Sequence, residues 1–184
     1  MTGRRFLLKT GYTLTIRRMC YTALFMAMII VLSSFGVPVP GGHLYLNDVV
    51  ICLASVLLGP VWAMVAAGAG AFLGDAIFYP APMYVSLVTR GIQGLVISLI
   101  SHYTFRKHPK IAAILGVSVG AIIMIAGYSV GREFVYGKPG AWLVKLPYQI
   151  LQAVVGAAAG LVLCFPCGIR KLYLKSCPEL QENA

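Results

Sequence analysis

A bundle of membrane-spanning helices is the fold class this sequence predicts, on three observations. Only 11% of the 184 residues are charged and 59% are hydrophobic, with a mean hydropathy of +0.85, whereas a soluble domain carries about 25% charged residues. The apolar residues gather into segments of the length that crosses hydrocarbon, about 20 residues of helix. Between them lie short loops carrying lysine and arginine, and no polar stretch is long enough for a separate soluble domain.

Six helices are predicted, at about 19–35, 48–58, 61–78, 83–103, 111–135 and 142–165. The first follows a basic cytoplasmic segment, 1–18, whose "TGRRFLLKT" superficially resembles a twin-arginine signal. The arginine pair is out of register with the apolar run, and no A-x-A site precedes Val37, so the segment reads as a retained first helix. The second helix is too short to span alone, and Gly59-Pro60 breaks the chain before the third. The membrane domain covers 19–168, and 169–184 forms a polar cytoplasmic tail.

Charge orients the bundle. With the N-terminus in the cytoplasm, Arg4, Arg5, Lys9, Arg17, Arg18, Arg106, Lys107, Lys110, Arg170, Lys171 and Lys175 lie inside, leaving Arg90, Arg132, Lys138 and Lys145 towards the outside. This satisfies the positive-inside rule, and an even number of helices returns the C-terminus to the cytoplasm. The net charge of +10 is thereby explained without nucleic acid. The same orientation sends Asp48, Asp75 and Glu133 to the outer ends of their helices, while Glu179 and Glu182 lie in the tail. Ionisable groups in membrane segments are costly and usually face a bundle interior or a wet cavity, so an outward-opening polar site is expected. The plainer reading places each acid in the headgroup layer or beside a lysine.

Small residues predict close packing. Gly70/Gly74, Gly116/Gly120, Gly127/Gly131 and Gly156/Gly160 are G-x-x-x-G pairs, and Ala23/Ala27 form an A-x-x-x-A near the start of the first helix. The last is either packing or a smooth docking face for another membrane protein. The five cysteines lack the spacing of a zinc ribbon or disulfide framework. Cys164 and Cys167 form a C-x-x-C at a helix end, without the βαβ setting of a redox motif. No metal motif, cofactor motif or catalytic constellation is found; Ser101 and His102 are neighbours on one helix and do not face each other.

Four stretches carry a family resemblance: the Ala23/Ala27 motif; "GGHLYLNDVVICLASVLLGPVWAMVAAGAGAFLGD"; "MYVSLVTRGIQGLVIS"; and "GYSVGREFVYGKPGAWLVKLPYQILQAVVG". Together they resemble the substrate-binding S components of energy-coupling factor (ECF) vitamin transporters, over about 20–165. The third is similar to a Thr-x-x-x-Lys-Gly-x-x-Gly pattern, with Arg90 in place of lysine. The fourth is similar to a tyrosine, a glutamate, a glycine and Pro-x-Asn-x-x-Gln, with Gln149 in place of asparagine. Arginine offers a planar fork and glutamine reaches one methylene further, so the substrate can differ from that of other members.

The resemblance implies a non-enzymatic protein of a bacterial or archaeal cell membrane. It would capture a water-soluble vitamin outside and deliver it inward with a transmembrane coupling subunit (T component), docked on Ala23 and Ala27, and two ATP-binding subunits. The chain has no G-x-x-x-x-G-K-[ST] loop of its own. The implied substrate-binding residues are Glu133, Gln152, Gln149, Tyr128, Arg90, Asp75, Tyr84 and Asn47. Asp48, Tyr79, Tyr136 and Trp142 are further polar or aromatic groups on the outer side. Plainer roles stand beside these: Tyr79, Tyr84 and Trp142 as an interfacial aromatic belt, Arg90 as partner of Asp75 or Glu133, Asp48 as a helix cap, and His43 in a solvated loop or lid. Hydroxymethylpyrimidine or another thiamine precursor, a vitamin B6 form, riboflavin and a queuosine-type precursor all fit a flat heterocycle. A small secondary transporter or channel, a membrane enzyme and a ligand-free scaffold are the alternative classes.

Overall fold

The computed structural model describes residues 2–39, 42–104, 108–135 and 141–176. In chain order it contains α1 (Thr2–Ser33), a hairpin of β1 (Val37–Val39) and β2 (Gly42–Leu44), α2 (Asn47–Leu57), α3 (Pro60–Phe78), α4 (Met83–Leu99), α5 (Pro109–Val130), α6 (Ala141–Cys164) and α7 (Ile169–Ser176). The two strands are antiparallel, with Val37 opposite Leu44 and Pro38 opposite His43. α4 continues into a π-helical turn at Ile100–Thr104, and α5 into another at Gly131–Val135.

The expected count of six spanning helices is corrected. Seven α-helices occur among the described residues, and five of them contain a stretch long and apolar enough to cross a bilayer. α2, with 11 residues, rises only about 16 Å. α7, inside the expected tail, is too polar and short to be read as a span. α1 starts at Thr2, well before the expected start near 19, because nothing between the basic segment and the apolar run breaks a helix.

α2 is the hub. It packs against α1, α3, α4 and α6, and every residue from Asn47 to Leu57 except Val49 is buried. Around it α1 packs on α3, α3 on α4, α4 on α5, and α5 on α6. Gly59-Pro60 makes the turn as expected: Pro60 opens α3 at its first position, where a missing N–H costs nothing. The large apolar side chains left exposed, among them Ile77, Val88, Ile122 and Val154, point away from the core as lipid-facing residues should.

The four G-x-x-x-G pairs lie at helix contacts: Gly70/Gly74 against α1, Gly116/Gly120 and Gly127/Gly131 against α4, and Gly156/Gly160 against α2. Gly156 matters most for the site. A Cβ added there would stand 2.5 Å from the Asp48 Cβ, so only glycine lets α6 lie this close to the start of α2.

Candidate functional site

The site is built where six helices and the hairpin converge at one end of the bundle. The end of α1 brings Ser33, the hairpin and its exit bring His43 and Tyr45, and the first turn of α2 brings Asn47 and Asp48. Asp75 comes from the last turn of α3, Ser86 and Arg90 from the first half of α4 with Gln93 one turn further on, Tyr128 from the end of α5, and Lys145, Gln149 and Gln152 from the first half of α6. Arg90, Asp48, Gln93, Asp75, Ser86, Asn47, Gln149 and Gln152 are all buried, far more polar surface than hydrocarbon tolerates unless it is mutually bonded.

Arg90 is at the centre. Its planar fork binds Asp48 bidentately: Nη1 donates to Oδ1, and Nη2 donates to Oδ2 at 3.0 Å. Nη1 also donates to Gln93 Oε1 at 2.9 Å, one helical turn along α4. The guanidinium lies over the Tyr128 ring, with Cζ 5.3 Å from the centroid, a cation–π distance. Gln152 Nε2 donates to Asp48 Oδ2, and Gln152 Oε1 accepts from the Tyr45 backbone N–H at 3.3 Å, joining α6, α2 and the hairpin exit through one side chain. Asn47 Nδ2 donates to Ser33 Oγ at 3.0 Å and ties α2 to α1.

A second group adjoins the first. Ser86 donates to Asp75 Oδ2, and its Oγ lies 2.7 Å from the Tyr128 hydroxyl. Lys145, also buried, is within electrostatic reach of Asp75. Above the site the His43 ring meets Tyr79 edge-on at 4.7 Å. Burial, with the charge of Asp75 second, raises the Tyr45 phenol well above its ordinary range and keeps it neutral.

Some bonding capacity is left over. Among the described residues Asn47 Oδ1, Gln149 Oε1 and Arg90 Nε are buried without a hydrogen-bond partner. Gln149 stands one turn before Gln152 on the same face of α6. Buried polar atoms are rarely left unpaired, so these groups, with His43 Nδ1, leave hydrogen-bonding capacity at this end of the bundle.

The structure thus brings together Asn47, Asp75, Arg90, Tyr128, Gln149 and Gln152. Glu133 lies in the π-helical turn beyond Tyr128, half-buried. Tyr84 is 66% exposed, with its ring 6.0 Å from Phe72, and faces away from this group. Tyr136 and the side chain of Trp142 lie outside the described residues. The partner of Arg90 is Asp48, not Asp75 or Glu133, and Asp48 spends its carboxylate on this pair and on Gln152 rather than on a cap. Ser86 and Gln93 were not singled out by sequence. Gln93, at i+3 from an intramembrane arginine, was the one spacing that pointed to a partner. Ala23 and Ala27 are both exposed on α1.

Five apolar spans around a short buried helix, with a cluster of buried polar residues at one end, define a multi-pass membrane protein. The family described as "ECF-type riboflavin transporter, S component" matches residues 13–168, and the chain belongs to it. It is similar to a Pyrococcus woesei protein described as "Uncharacterized protein in gap 3'region", 35% identical over 126 residues, 67% of this chain and 82% of the relative. It is also similar to a "UPF0397 protein" of Streptococcus gordonii, 30% identical over 93 residues, half of each chain. Membership makes it a transmembrane S component for vitamin uptake, a class of transporter subunit and not of enzyme.

Proposed function

We propose that this protein captures riboflavin, or a heterocycle with the same neutral edge, in the Arg90 site and hands it inward with a T component and two ATP-binding subunits. The observation that carries the reading is charge balance: the buried cations Arg90 and Lys145 each have a buried carboxylate to answer them, Asp48 and Asp75. These four buried groups among the described residues add no net charge, which suits a neutral ligand better than a phosphate ester or a thiazolium cation. The free acceptors Asn47 Oδ1 and Gln149 Oε1 match a ring N–H, and the free Arg90 Nε–H donor matches a ring carbonyl. The dioxopyrimidine edge of a flavin carries both, and the Tyr128 ring offers an aromatic wall.

The polar end faces outward in this reading, and both chain ends lie in the cytoplasm of a bacterial or archaeal cell. Arg17 Nη1 donates to the Ser176 carbonyl at 3.1 Å, which supports a shared side for the two ends, and the excess of lysine and arginine there supports the cytoplasm. The exposed Ala23 and Ala27 serve as the docking face for the T component.

The test is titration of the purified chain with riboflavin, followed by quenching of flavin fluorescence, with FMN, hydroxymethylpyrimidine and pyridoxine as competitors. Riboflavin is expected to bind tightest, with FMN weaker by at least about tenfold, 1.4 kcal/mol, for its added phosphate. Tight binding of another competitor without riboflavin binding replaces the flavin but keeps the transporter; binding of none overturns both. Ala23→Trp is expected to abolish co-purification with the T component while riboflavin binding persists.

A further inference from the structure

At the opposite end of the bundle lies a surface that ligand capture does not use. α7, "IRKLYLKS", is strongly amphipathic. Its Tyr173 is buried and meets the Tyr21 ring edge-on at 5.0 Å, while Arg17 holds the Ser176 carbonyl at its far end. α7 is therefore clamped against α1 at the level where the apolar span of α1, Thr15–Ser33, begins. That level is the boundary between hydrocarbon and headgroups.

With Tyr173 fixed inward, the opposite face is set by helical geometry. Lys171, Leu172 and Lys175 fall within about 100° of arc and are exposed, Leu172 at 64%. Arg17 is exposed beside them, and Arg18 and Arg170 are half-buried, their charges both reaching His102. Five cations thus gather at α7 and the adjoining turn of α1: Arg17, Arg18, Arg170, Lys171 and Lys175. The described carboxylates, Asp48, Asp75 and Glu133, all lie at the other end. A free anion would have no use for an exposed leucine between two lysines. An anionic lipid would: the leucine enters the acyl boundary and the lysines meet the headgroup phosphate.

We propose that α7 and the start of the α1 span form a binding surface for anionic phospholipid headgroups, with Lys171 and Lys175 as the phosphate contacts and Leu172 as the apolar anchor. The proposal is independent of the riboflavin reading. The full-length protein in neutral detergent is titrated with phosphatidylglycerol and, separately, phosphatidylcholine, and bound lipid is counted by native mass spectrometry. Wild type is expected to retain phosphatidylglycerol preferentially. The exposed double variant Lys171→Gln/Lys175→Gln should lose roughly 25-fold of that affinity, a factor of about five per cation, while Lys110→Gln on α5 keeps it. Equal retention of the two lipids by wild type, as for a face built to receive a protein subunit, overturns the proposal. So does an undiminished preference in the double variant, or displacement of the lipid by inorganic phosphate alone. Unchanged helical circular dichroism and elution volume show that the double variant is folded.

Discussion

The two ends of this bundle both carry charge, but they treat it in opposite ways. At the Arg90 end two cations and two carboxylates are buried among the described residues, answered by each other and by amides and hydroxyls. At the α7 end the cations stay exposed or half-buried and meet one backbone carbonyl and no described carboxylate. Burial is what separates a charge held in a bonded network from one left at the surface. A charge in water is nearly free to keep or remove, whereas a buried charge is stable only in the company of its partner.

The sharpest way to break this contrast is to remove one charge at each end. Asp48→Ala strands the Arg90 guanidinium in the core and is expected to cost about 3–5 kcal/mol, read as unfolding in a denaturing-detergent titration. Lys110→Gln at the basic end should stay within about 0.5 kcal/mol. Equal effects would erase the distinction. Asp48→Leu combined with Arg90→Met should recover much of the loss, because a full apolar replacement leaves nothing uncompensated.

Gly156→Leu comes next. Its side chain must displace the Asp48 Cβ, pushing α2 from α6 and loosening Gln152 from Asp48; the expected cost is about 1–3 kcal/mol. The same change at an exposed α6 position such as Val154 should be silent in the same assay.

The smallest expected effect separates recognition from stability within one end. Gln149→Ala removes an acceptor that has no partner, so unfolding should barely change while riboflavin affinity falls by about 0.5–1.5 kcal/mol, one hydrogen bond. A loss of stability without a loss of affinity would make Gln149 part of the scaffold.

Much of the fold was legible in the sequence, since apolar length, the Gly59-Pro60 break and the small-residue pairs each report a local constraint. The gathering of Asp48, Asp75 and Arg90 at one end was legible from topology alone, because alternating spans send alternate helix ends to the same side. What topology does not give is helix rotation. In a soluble helix the polar face marks water, but here lipid and protein are both apolar, so Tyr84 facing outward and Ser86, two residues on, facing inward carry no contrast in hydropathy. Pairing over distance was hidden for the same reason: Arg90 finds Asp48 through the stacking of α2 on α4, and nothing near either residue announces it. α7 escaped because its fold rests on one tyrosine and one carbonyl rather than on an apolar run.

α2 adds a consequence for the membrane itself. A spanning helix answers a thicker or thinner bilayer by tilting, because its flanks are matched to the hydrocarbon. α2 has almost no lipid-facing side, so hydrophobic mismatch acts on its neighbours and reaches it only through them. Asp48 is therefore mounted on a helix that bilayer thickness cannot grip directly, and mismatch reaches its pair with Arg90 through the surrounding spans, α4 above all.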